Sequence, residues 1–190
     1  NELYEKLAFA RAIPWYIRAY NHEQKPEYVI RLADCYRRIH AYDEAAKWYA
    51  EAMTLSYQPP ETQFYYAHTL LLNGDYNSAK RNFREYSLST PNDERGNVFA
   101  DGIDFLENVL RDSIFFTLKL MPFSTANTEF GAVPYENGLI IASSRIEGTR
   151  TVVRQFQWKD TPFLNLIYLE QKDSAGLEWS DGKTLGDMIN

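Results

Sequence analysis

The sequence predicts an α+β chain of two domains, helical over residues 1–111 and antiparallel β over residues 112–190. Three observations carry that prediction. The stretch YDEAAKWYAEA places Tyr42, Ala45, Tyr49 and Ala52 on one helix face, and 34 residues later YNSAKRNFREY repeats the stripe with Tyr76, Ala79 and Phe83. Pro26, Pro59, Pro60 and Pro91 break this region into helix–turn–helix units. Beyond Arg111 the helical period gives way to short β-rich runs separated by turn residues. With 45% apolar and 15% aromatic residues, 190 residues supply enough material for packed cores.

The first element is FARAIPWYIRAY, a half-unit whose Phe9, Ala12, Tyr16 and Ala19 take the roles of Tyr42, Ala45, Tyr49 and Ala52 one residue out of register. Pro14 inside it predicts a kinked or late-starting helix. Two full units follow, in which Leu32, Ala33, Tyr36, Tyr42, Ala45 and Tyr49 map onto Tyr66, Ala67, Leu70, Tyr76, Ala79 and Phe83. Alanines at 33, 45, 67 and 79 let paired helices approach closely, and the aromatics fill the grooves between pairs. Gly74 ends the first helix of its pair. Residues 94–111 carry Val98, Ile103, Leu106 and Leu110 near helical spacing, but Asp101 stands where a further unit would need a small residue, so this segment reads as a capping helix. In the β part, FGAVPY, Glu136-Asn137-Gly138 and LIIASS form a hairpin signal, with Asn-Gly suited to a type I′ connection. FLNLIYLEQ reads as a third strand and LEW as a fourth, before Asp181-Gly182 turns into KTLGDMI.

A 34-residue period with small residues at 33, 45, 67 and 79, an aromatic at 49 or 83 and Pro91 near the unit's end resembles the tetratricopeptide repeat. Val29 and Gln63 stand at the usual tryptophan position and Tyr86 where a small residue is usual. Phe130-Gly131, Asn137-Gly138, Ala142-Ser143-Ser144-Arg145, Leu166-Ile167-Tyr168 and the closing Leu185-Gly186 with Ile189-Asn190 resemble one blade of the WD40-like propellers of Bacteroidetes envelope proteins. Helical repeats leading into such a blade are similar to the N-terminal part of PorE-type proteins, OmpA-family lipoproteins linked to type IX secretion and gliding. That resemblance implies an N-terminal tetratricopeptide-like superhelix and the first blade of a truncated β-propeller. It also implies a periplasmic, outer-membrane-associated setting, a lipid anchor outside this chain, a secretion-system or envelope protein partner, and peptidoglycan attachment by missing C-terminal domains. By the repeat's geometry the groove candidates are Ile30, Asp34, Arg37 and Arg38 in one unit and Phe64, His68, Leu71 and Leu72 in the next. The simplest competing reading is that the helix at 94–111, or the following domain, covers Phe64, Leu71 and Leu72. The peptide-carboxylate clamp of chaperone-binding relatives needs Lys and Asn where this chain has Ile30 and Asp34, which disfavours a cytoplasmic co-chaperone. One blade alone leaves unpaired strand edges, so the chain is expected to be a fragment or to pair with a second copy by strand exchange or edge pairing.

Other classes find less support. The net charge of −6 divides into 13 basic against 16 acidic residues up to 111 and 7 against 10 after it, with no basic stripe for nucleic acid. Cys35 lies in an apolar helical pattern, and no run of 18 apolar residues exists. The opening at Asn1, without Met or an apolar leader, predicts a trimmed N-terminus and leaves a removed signal open. GLEWSDGKT has five residues between its glycines where a phosphate loop has four, and SDGKT reads as a turn. His22, His40 and His68 are isolated, and His40 reads as a helix-end cation suited to the dipole. Ser143 and Ser144 lack a nucleophile elbow, and acidic pairs such as Asp43-Glu44 read as solvated faces. No catalytic, cofactor-binding or metal-binding residue is assigned. The reading is therefore a non-enzymatic interaction or scaffold module, and its alternative is an accessory propeller part of a periplasmic peptidase or glycosidase.

Overall fold

A computed structural model describes residues 2–55, 58–145 and 155–185. Its seven α-helices are α1 (Glu2–Glu5), α2 (Phe9–His22), α3 (Pro26–Arg38), α4 (Tyr42–Met53), α5 (Pro60–Leu72), α6 (Tyr76–Ser89) and α7 (Arg95–Arg111). A 3-10 turn, Asp112–Phe115, follows, and then six strands: β1 (Glu129–Tyr135), β2 (Gly138–Ser143), β3 (Gln155–Phe156), β4 (Thr161–Pro162), β5 (Asn165–Glu170) and β6 (Lys183–Thr184). The chain is thus mixed α+β. It divides into two compact units, Asn1–Thr117 with Gln157–Lys159, and Leu118–Phe156 with Asp160–Asn190.

In the helical unit, Pro26 and Pro60 stand at the starts of α3 and α5, where a missing N–H costs no intrahelical bond. Asp75 caps α6 by accepting from the Ser78 N–H at 3.1 Å. The left-handed residue that ends a first helix is Gly74 (φ 83°) in one unit and, 34 positions earlier, His40 (φ 66°) in the other. Ala33, Ala45, Ala67 and Ala79 are fully buried, and Tyr49 and Phe83 fill the space beside them. The alanine and aromatic stripe is packing, as close helix approach requires.

Three sequence expectations change. α2 begins at Phe9 and runs through Pro14, so there is no late start; near a helix start the proline forfeits one backbone bond, and the buried face outweighs it. That face is Phe9, Ala12, Tyr16 and Tyr20, with Ala19 only partly covered, and the Tyr20 hydroxyl donates to Glu51 Oε1 at 2.8 Å. On α7 the buried row is Gly96, Ala100 and Ile103, whereas Val98 and Leu110 are exposed. Gly96 sets this rotation: a Cβ there would lie 2.7 Å from the Phe83 carbonyl oxygen and 2.9 Å from Tyr86 Cδ1. Asp101 consequently faces outward and pairs with Arg84, as Asp104 does with Lys80.

The second unit is a four-stranded antiparallel open sheet in the order β1-β2-β5-β6, with a separate β3-β4 pair. Leu139 faces Leu169 and Ile141 faces Ile167, and period-2 alternation puts Ile141, Ile167 and Leu169 into one core with Phe123 and Trp179. The hairpin turn falls one residue earlier than Asn-Gly predicts. Tyr135 pairs with Gly138, so Glu136-Asn137 form the connection and Glu136 takes the left-handed backbone (φ 47°). Gly138 serves close approach instead, since a Cβ on it would stand 2.0 Å from the Leu169 carbonyl oxygen. The fourth strand is Lys183–Thr184 and not LEW, from which Trp179 makes a single bridge to Gln171. Gly186, Ile189 and Asn190 lie outside the described residues. No helix among the described residues is long and apolar enough to cross a membrane.

Candidate functional site

Ile30, Asp34, Arg37 and Arg38 recur at helical spacing along α3, and Phe64, His68, Leu71 and Leu72 along α5. The fold gives these eight residues five different environments.

Asp34, Arg37 and Arg38 form one polar knot. The Asp34 carboxylate accepts from the Tyr4 hydroxyl, from Arg37 Nη2, from Arg37 Nε at 3.1 Å and from Arg38 Nε at 3.2 Å. Burial pushes the Asp34 carboxyl up, but Tyr4, Arg37 and Arg38 outweigh it and hold it below the usual carboxylate range. The Tyr4 phenol is pushed up to about 12, by burial first and then by Asp34. Arg37 is nearly enclosed, with its guanidinium 4.3 Å from the Tyr65 ring of α5. These groups join α1, α3 and α5, and Arg37 is occupied in doing so.

Phe64 is buried. It touches Phe83, Tyr86 and Phe99 with centroids at 5.3–5.6 Å, and Arg95 lies 4.6 Å above it. His68 stacks on Phe64 and meets Phe99 edge-on at 5.7 Å; its Nδ1 is buried and, among the described residues, has no hydrogen-bond partner. Burial, with Arg37 adding to it, holds the His68 imidazole below its ordinary value. α7 therefore covers this part of α5. Tyr86, which stands where a small residue is usual, donates to Asp93 at 2.6 Å and accepts from Arg95 at 3.0 Å, so it locks the α6–α7 turn.

Leu71 lines an apolar depression of about 310 Å³ with Val98, Phe99, Gly102, Ile103 and Leu106. Leu72 is exposed, and Ile30 packs instead against Tyr20, Val29 and Ala52.

A further contact was not visible in the repeat pattern. Trp158 of the helical unit meets Phe9 edge-on at 4.9 Å, its indole N–H donates to the Arg38 carbonyl at 2.5 Å, and its own carbonyl accepts from the Ala10 N–H at 3.3 Å. Arg38 closes the end of α3 and Ala10 lies in the first turn of α2, which has no side-chain cap. Both are helix-end groups that lack an intrahelical partner. The nearby Lys159 Nζ lies 3.2 Å from His40 Nδ1, and burial and then Lys159 hold the His40 imidazole below its ordinary value, which works against the helix-end cation that the sequence suggests. The only signal for Trp158 in the sequence is a tryptophan set among polar residues.

Other reactive side chains are structurally engaged. Burial, with Asp34 second, pushes the Cys35 thiol up to about 12, the opposite of an activated nucleophile. Ser143 Oγ accepts from the Arg145 N–H at 3.2 Å, Ser144 Oγ accepts from the Thr128 N–H, and Arg145 pairs with Glu129 in a nearly enclosed site. No group of three or more His, Cys, Asp or Glu placed to hold a metal occurs among the described residues. No protein-family model matches this chain, and no curated protein matches it.

Proposed function

We propose that the chain is a non-enzymatic protein-interaction module in which the helical unit carries the binding surface. The observation that carries this reading is the contrast along the predicted groove. Asp34, Arg37, Phe64 and His68 are committed to internal contacts, while the depression lined by Leu71, Val98, Phe99 and Gly102 is apolar and open, as an anchor pocket for an aliphatic or aromatic side chain needs to be. The tetratricopeptide and propeller resemblance supplies the setting: a periplasmic envelope protein of PorE type, outer-membrane associated, with a secretion or gliding component as partner. Gly102→Glu tests the surface, because a Cβ at Gly102 meets nothing within 4 Å and the fold tolerates it. Pull-down from an envelope fraction should lose its partner with this variant at a melting temperature no lower than that of the wild type. Recovery of the same proteins by both forms would remove the depression from the proposal, and fractionation of the tagged full-length product into the cytoplasm would remove the setting.

A further inference from the structure

α3 and α5 begin 34 residues apart, at Pro26 and Pro60, but α7 begins 35 residues after α5, at Arg95. Counted at that spacing, the small residue missing at Asp101 stands at Gly102. Gly102 then takes the place of Ala67 and Ala33, Phe105 that of Leu70 and Tyr36, and Val98 that of Gln63 and Val29. The other face of the helix agrees. Ala100 takes the place of Tyr65, and each joins the preceding second helix, Ala100 with Ala79 and Phe83 of α6 and Tyr65 with Ala45 and Tyr49 of α4. α7 is therefore built as the first helix of a third unit. In the two complete units a second helix covers the stripe: Val29 packs with Ala52, and Ala33 and Tyr36 with Ala45 and Tyr49, while Ala67 and Leu70 pack with Ala79 and Phe83. On α7 the same stripe is bare, with Val98 64% and Phe105 70% exposed and nothing within 4 Å of a Cβ at Gly102. After α7 the chain passes through a 3-10 turn into strands and, among the described residues, supplies no further α-helix.

We infer that the Val98–Gly102–Phe105 stripe of α7 is the seat of an amphipathic helix from a protein partner, docked as α4 docks on α3 and α6 on α5. The inference rests on the interaction-module reading and names the class of ligand for the same depression. A repeat unit cannot bury its apolar face alone, so the face left over at the last first helix calls for the element that covers it elsewhere in the array. The chemistry of that element is set by the two helices that already play the part. Tyr42, Ala45 and Tyr49 in α4, and Tyr76, Ala79 and Phe83 in α6, give an aromatic, a small residue three positions on and a second aromatic four beyond it. The small residue lets the two backbones cross closely at Gly102, and the aromatics cover the apolar area that Val98, Phe105 and Leu106 leave open.

The probe is a labelled peptide of residues 76–89, held helical by a staple between the exposed positions 81 and 85 and titrated into the full chain by fluorescence anisotropy. The wild type should bind it, and Gly102→Glu should weaken binding at least about tenfold, since a charge then stands at the crossing point. The same peptide carrying Ala79→Leu should bind at least about fivefold more weakly, the low end for an overpacked contact. Phe105→Lys, at a side chain that enters no core, should also weaken binding and replaces Gly102→Glu if that variant does not fold. Folded wild type that takes up no peptide up to about 1 mM, or that binds it no better than the variants do, overturns the inference. Sedimentation velocity gives a second way to fail: self-association of the wild type that Phe105→Lys abolishes would seat another copy of this chain on the stripe and overturn the partner assignment. The titration uses no envelope protein, so a partner lost in the pull-down together with a peptide that never binds would leave the interaction surface standing and remove only its helical ligand.

Discussion

Asp34 shows how a single carboxylate is fixed by its surroundings. Its side chain is about as enclosed as that of Arg37, and each neutralises the other in a place where neither charge is well hydrated. Removing one partner of such a pair leaves the other buried and uncompensated, so Asp34→Ala should cost about 3–5 kcal/mol, readable as a large fall in the urea midpoint. An unchanged midpoint would show that Arg37 finds solvent without it. His68 supplies a pH signal. Its imidazole titrates lower in the folded chain than in the unfolded one, where about 6.5 is ordinary, so the unfolded chain takes up the proton first. Stability present above that value is lost as the pH falls from it through the folded value. The difference in melting temperature between pH 7.5 and 5.5 should shrink in His68→Gln, while His40, shifted the same way, leaves a residual slope. The alanines at 33, 45, 67 and 79 were legible in the sequence because close approach needs only a small residue at the right period. The Asp34 knot was not, since Tyr4 lies 30 positions away and nothing local announces the hydroxyl.

At the scale of elements, two glycines set close approaches that periodicity does not encode. Gly96 lets α7 settle on the Phe83 carbonyl and Ser87, and Gly138 lets β2 pass against the Leu169 carbonyl. A methyl at either position forces backbone apart. Each Gly→Ala change should therefore cost about 1–3 kcal/mol, even though alanine is the better helix former at 96. Calorimetry checks this, and a melting temperature raised by Gly96→Ala would mean that α7 does not rest on α6 as described. Helix positions were largely readable, because Pro26, Pro60 and Gly74 act locally on the backbone. The sequence misleads on the phase of α7 for a physical reason. Val98, Ile103, Leu106 and Leu110 look like an apolar row, but the row that packs is chosen by size, and Gly96 and Ala100 permit an approach that Val98 would block. The β3-β4 pair leaves no signal in the sequence because two-residue strands carry no alternation to read.

For the molecule as a whole, the exposed apolar surface decides what further order the chain seeks. Phe116, Leu118 and Leu120 alternate with Thr117 and Lys119 at strand period, belong to no strand, and are 74%, 96% and 91% exposed, and Ile114 in the 3-10 turn before them is 81% exposed. β1 is a sheet edge whose Phe130, Val133 and Tyr135 are also exposed. Each copy thus carries a strand-patterned donor run and an acceptor edge that is unpaired among the described residues, so two copies can satisfy both reciprocally. Taking each large side chain at roughly 150 Å², four per copy bury on the order of 1,000 Å² across a symmetric pair before the backbone is counted, near the lower bound of a stable interface. Sedimentation velocity should show a concentration-dependent dimer between micromolar and hundreds of micromolar protein. Leu118→Lys with Leu120→Lys should restore the monomer and leave the melting transition unmoved at concentrations where the wild type is itself monomeric, because neither side chain enters a core. A wild type that stays monomeric throughout that range would eliminate edge pairing. The alternating run would then have to be covered by polypeptide other than a second copy of this chain, as the propeller resemblance would require.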